Sequence, residues 1–132
     1  MRIDTEIEKL KAALKSCQQL KNVKIISAFP YQLKPTRLEY PVIAVGLHHL
    51  EAESSQLEHS ERCGDLSIFA DIYVPNKLGG DYACRLLCDM CDALDEYNIA
   101  SISAQKPEYR NNIQAVLLKA VITFSGIISN GG

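Results

Sequence analysis

The stretch DLSIFADIYVP, residues 65–75, alternates without a break. Leu66, Ile68, Ala70, Ile72 and Val74 point one way, and Ser67, Phe69, Asp71 and Tyr73 point the other. A period of two marks an extended strand, because successive side chains leave opposite faces. The first set is wholly aliphatic, so one face of this strand is buried. The second set places a carboxylate between two aromatic rings. That side is either a solvated strand face or a surface that meets a neighbouring subunit, where Tyr and Phe are enriched.

Upstream, PVIAVGLHHLEAES (41–54) begins at Pro41, a permitted strand start, and runs apolar to about Leu50. The segment between, SQLEHSERCG (55–64), is polar. Two long strands around a polar connection predict a β-hairpin with a long tip. Further upstream, PYQLKPTRLEY (30–40) carries two prolines and reads as a loop, and VKIISAF (23–29) reads as a short strand. DTEIEKLKAALKSCQQL (4–20) repeats Ile7, Leu10, Leu14 and Cys17 at helical spacing, with Thr5 and Glu8 as a capping box or Asp4 as the alternative cap.

Downstream, NKLGG (76–80) is a turn, and residues 80–98 form a second helix entered through Gly80 and Asp81. ASISAQ (100–105) is a weak strand, and KPEYRNN (106–112) reads as a turn. IQAVLLKAVITFSGII (113–128) is the longest strand candidate, apolar on both faces and expected near the centre of the sheet. The order α-β-β-β-α-β-β predicts a single α+β domain. Its sheet is largely antiparallel, with four to five strands and both helices on one face.

The composition suits such a domain. Of 132 residues, 47% are hydrophobic and 23% charged, and the net charge is −2. That balance gives no electrostatic basis for direct nucleic-acid recognition, which depends on neutralising phosphates. No apolar run approaches the ~20 residues of a membrane span, and the N-terminus lacks a stretch of signal-peptide length. A cytosolic chain with reduced thiols is expected, since its five cysteines have no disulfide-framework spacing.

Three of those cysteines, Cys84, Cys88 and Cys91 in DYACRLLCDMCDAL, have the C-x3-C-x2-C spacing of radical-enzyme cluster ligands. On a helix they form one narrow stripe beside Ala83, Leu87, Met90 and Leu94, opposite Arg85, Asp89, Asp92 and Glu96. Cys84 and Cys91 are then about 10 Å apart in rise. Thiolates on one zinc sit ~2.3 Å from the metal, so a straight helix does not bring all three together. The stripe is expected to pack at the edge of the core, as free cysteine does. The alternative is a metal site in which Cys88 and Cys91 join Cys17, Cys63 or a histidine. His48 and His49 are adjacent strand residues, expected on opposite faces.

Other chemistry is sparse. The chain has no P-loop, G-x-G-x-x-G, H-E-x-x-H or G-x-S-x-G pattern, so no cofactor is expected. Glu51, Glu53, Glu58, Glu61 and Asp65 crowd the hairpin tip, where solvent keeps carboxylates ordinary. LGGDY (78–82) precedes a helix, but Asp81 repels an anion there.

Taken together, the leading helix, the loop FPYQLKPTRLEYPVIAVG (29–46), the long hairpin (41–75) ending in ADIYVPNKLGGDYACRLLCDMCDAL and the apolar final strand resemble the tail terminator, or tail completion, proteins of tailed bacteriophages and related contractile particles. The resemblance covers nearly the whole chain and rests on element order and length. It implies a non-enzymatic virion protein of the tail or neck, assembled in the bacterial host cytoplasm. Six copies would form a ring that caps the tail tube protein, ends its polymerisation and joins the neck or head–tail connector. Position in the hairpin then places tube or neck contacts at Glu51, Glu53, Glu58, Glu61 and Arg62, and on the loop at Lys34, Arg37 and Glu39. It places subunit contacts at Phe69, Asp71 and Tyr73. A small metal- or thiol-dependent protein using Cys84, Cys88 and Cys91, or a neighbouring head–tail joining protein, are the alternatives.

Overall fold

The structure, a computed structural model, describes residues 3–27, 38–54, 61–97 and 99–129. Helix α1 (Ile3–Lys15) and helix α2 (Gly79–Ala93) accompany six strands. These are β1 (Lys24–Ser27), β2 (Val42–Ser54), β3 (Glu61–Pro75), β4 (Ser101–Ala104), β5 (Glu108–Arg110) and β6 (Ala115–Ser129). The sheet runs β1-β2-β3-β6-β4, with β5 also paired to β6. The chain is one α+β domain with a mixed, mostly antiparallel sheet.

The strand pairing and the outer edge differ from the sequence reading. The pair β1–β2 is parallel, Lys24 lying opposite Val42. The expected turn at 106–112 contains β5, which continues the line of β4 along the outer edge of β6. The break between them holds Pro107, which has no N–H and suits an interrupted edge. The broken edge explains why five positions across the sheet are filled by six strands.

The alternation in β3 does what its pattern dictates. Leu66, Ile68, Ala70, Ile72 and Val74 are all fully buried. Their ladder partners continue the same face: Ile72 sits between Ile43 and Leu118, and Ala70 between Val45 and Ala120. Leu10 and Leu14 of α1 and Ala83, Leu86 and Met90 of α2 close over this face in one continuous core. Burying each large aliphatic side chain contributes about 1.5–3 kcal/mol.

Helix α1 starts at Ile3, so Thr5 lies inside its first turn and is not the cap. Asp4 and Glu6 occupy that turn, where the helix dipole favours negative charge. The periodic stretch ends early: α1 stops at Lys15, and a 3-10 turn, Gln18–Leu20, buries Leu20. Helix α2 starts at Gly79, whose φ of 79° is a conformation open to glycine, and ends near Leu94. Among the described residues, β6 has strands on both sides only as far as Thr123; β3 holds the middle of the sheet.

The strands outrun the helices. β3 and β6 have 15 residues each and pair from Glu61↔Ser129 to Pro75↔Ala115. At about 3.3 Å per residue that is roughly 50 Å of strand, against about 22 Å for the 15 residues of α2. A three-stranded wing of β2, β3 and β6 therefore extends past the helical layer.

Candidate functional site: the helix-free face and the wing

The second side of the alternation forms the sheet face turned away from the helices. Across β2, β3 and β6, Phe69 lies between Gly46 and Val121, Asp71 between Ala44 and Lys119, and Tyr73 between Val42 and Leu117. Val42, Ala44 and Leu117 are buried, while Phe69, Asp71 and Tyr73 are half-buried. A groove of about 600 Å³ runs over this face, with Phe69, Asp71 and Tyr73 on its floor and His48, Arg110 and Lys119 around them.

The groove's electrostatics centre on one carboxyl. Burial pushes the Asp71 pKa up, and Lys119, Arg110 and His48 pull it back down in that order. Burial also raises the Tyr73 hydroxyl, helped by the negative charge of Asp71 and opposed by Arg110. Arg110 Nη2 is 3.1 Å from Glu108 Oε2. Its Nε is buried without a hydrogen-bond partner among the described residues. The surface is amphipathic, with Asp71 set in an aromatic floor and the basic side chains of Arg110 and Lys119 at its rim.

The expected trio Phe69, Asp71 and Tyr73 thus shares one face. Sequence reading missed Lys119, Arg110 and His48 beside it. Lys119 carried a signal, as the only charge in an otherwise apolar strand. His48 carried none, because a β-bulge places it. Leu47 lies opposite Ile68 and His49 opposite Ser67, so His48 is an extra residue in β2. His49 therefore shares the helix-free side with Ser67, and His48 lines the groove on that same side. Simple alternation had put the two histidines on opposite faces.

The hairpin candidates divide. Glu51 is exposed and lies opposite Asp65 on the wing, two like charges facing across the ladder. His49 Nε2 is 4.0 Å from Glu51 Oε2. Glu53, Glu61 and Arg62 lie on wing strands, with their side chains outside what is described. Glu58, Lys34 and Arg37 fall outside the described residues. Glu39 is exposed just before β2. Glu51 lies nine residues into β2 from Val42, roughly 30 Å of strand, so Glu39 and Glu51 stand towards opposite ends of β2.

The cysteine stripe is corrected by the structure. Cys84 and Cys88 are exposed and Cys91 is half-buried, so the stripe is on the solvent side of α2. The buried line runs through Ala83, Leu86, Met90 and Leu94, roughly 100° around the helix. Burial raises the Cys91 pKa, aided by Cys88 and Asp92, which disfavours a metal-binding thiolate there. Among the described residues no group of three or more His, Cys, Asp or Glu side chains could hold a metal ion. No described helix is long and apolar enough to cross a membrane. No protein-family model and no curated protein sequence matches the chain.

Proposed function

We propose that this chain is a structural, non-catalytic subunit of a phage tail or related contractile particle. Six copies close into a ring that caps the tail tube, ends its polymerisation and provides the joining surface for the neck or head–tail connector. The protein then resides in the virion, in the tail or neck, after assembly in the host cytoplasm. One observation carries this reading. The sheet has one face covered by helices and a second face with an aromatic floor, and its long strands, more than twice the length of α2, run on past the helices as a wing.

Such a shape is costly for a monomer. A long wing and a half-buried Phe69–Asp71–Tyr73 face become useful when a neighbour covers them. A head-to-tail contact that closes on itself gives a ring. The separation of Glu39 from Glu51 along β2 supplies two distant surfaces, as a cap with a tube side and a neck side requires. No observation favours the alternative built on thiols, because Cys84 and Cys88 stand on the solvent side of α2.

The test is to add the protein to the tube protein of its own particle during polymerisation. Negative-stain images are expected to show tubes that stop growing and carry a cap at one end. Tubes of unchanged length with bare ends would overturn the reading.

A further inference from the structure

Among the described residues, two backbone edges of the wing have no strand partner. On one side, the described residues of β1 pair with β2 over Val42–Val45, and no described residue pairs with the outer edge of β2 from Gly46 to Ser54. On the other, β5 and β4 cover β6 over Ala115–Leu117 and Ala120–Thr123, and no described residue continues past Thr123 towards Ser129. Backbone N–H and C=O groups need partners, and an open edge is a template for another strand.

The hydrogen bonds identify which groups point outward. Lys119 O accepts from Gln105 N–H, and Thr123 O accepts from Ala100 N–H. Odd-numbered residues of β6 therefore turn their backbone away from β3, and the period of two carries this on to Ser125, Ile127 and Ser129. Even-numbered residues of β3 bond to β6, so its odd-numbered ones bond to β2. With Leu50 opposite Leu66 and Glu51 opposite Asp65, the outward groups on the β2 wing are those of Leu50, Ala52 and Ser54.

Proteins blunt exposed edges with charge, proline or a bulge. The run AVITFSGIIS, residues 120–129, has no charged residue and no proline, whereas the β2 edge carries Glu51 and Glu53 beyond its bulge at His48, which leaves the β6 edge as the unguarded one. We infer that the β6 edge beyond Thr123 is a docking strand for a second copy of this chain, pairing with the β2 edge at Leu50–Ser54. The inference rests on the ring reading and names its junction. β2 and β6 both run antiparallel to β3, so they are parallel to each other. Copies related by rotation about an axis along the strands bring β6 of one beside β2 of the next, in parallel. The wings then form one sheet running from subunit to subunit.

Two proline variants test this. Ile127→Pro and Ala52→Pro each remove one outward N–H and leave the internal ladder its own bonds. Each is expected to melt within a few degrees of the parent, by circular dichroism, and to lose every species above monomer in native mass spectrometry. Ile127→Ala, which keeps the N–H, retains the ring. An equimolar mixture of the two proline variants is expected to give a heterodimer and nothing larger, because one intact β6 edge meets one intact β2 edge. Proline variants that still form the parental ring overturn the edge junction and leave the ring standing. Ala52→Pro forming a homodimer overturns it in favour of β6–β6 pairing. A parent that forms open filaments through the same edges keeps the junction and overturns the ring. A parent that stays monomeric contradicts both.

Discussion

Asp71 and Lys119 lie directly opposite each other across the β3–β6 ladder, on the sheet face turned away from both helices. The pairing brings a charge of each sign into a half-buried aromatic surface. Lys119 is the first of three cationic groups, with Arg110 and His48, that draw down an Asp71 pKa raised by burial.

That raised pKa fixes the sign of a pH effect. Between the unfolded and folded values of Asp71, the native state binds more protons than the unfolded state, so stability falls as pH rises through the carboxylate range. Asp71→Asn removes this contribution. Thermal melts from about pH 3 to pH 7 are expected to show the variant gaining on the parent as pH rises. A parallel pair of profiles would contradict the assignment.

Ile72 lies fully buried between Ile43 and Leu118. Ile72→Ala leaves a cavity beneath the helices and is expected to cost about 2–5 kcal/mol in urea unfolding. Phe69→Ala on the opposite face of the same strand is expected to cost less in the monomer and more in the assembled ring.

Cys84→Ser and Cys88→Ser are expected to change stability by less than about 0.5 kcal/mol, since both side chains are exposed. Thiol-reactive dyes should label these two rapidly in the native protein. Met90→Ala, on the buried line of the same helix, is expected to lose about 2–5 kcal/mol.

Gln114 holds φ 50° and ψ 50°, a left-handed conformation that L side chains adopt at a cost. It sits at the turn into β6, where its carbonyl accepts from Asn76 N–H. Gln114→Gly is expected to stabilise the domain by up to about 1 kcal/mol. A loss of stability in the same unfolding experiment would show that the side chain does more than tolerate the turn.

Local pattern made much of this fold legible. The break-free alternation at 65–75 separated the buried face of β3 from the Phe69–Asp71–Tyr73 face because one side was purely aliphatic. What stayed hidden depended on distant partners. Parallel pairing of β1 is set by how the chain returns to β2, which no local signal encodes. β5 was masked by Pro107, Asn111 and Asn112, residues that read as a turn. Lys119 and Asp71 became neighbours only through ladder register, and His48 joined them only through a bulge. The cysteines misled because cysteine packs as a small hydrophobe. Ala83, Leu86 and Met90 were enough to seal the helix without them.

Native mass spectrometry of the untagged protein, purified without chelator across a range of concentrations, tests the central claim most directly. The account predicts one closed species of six subunits that carries no metal and does not grow further. A monomer or dimer bearing stoichiometric zinc or iron would contradict it and return Cys84, Cys88 and Cys91 to the centre of the molecule's function.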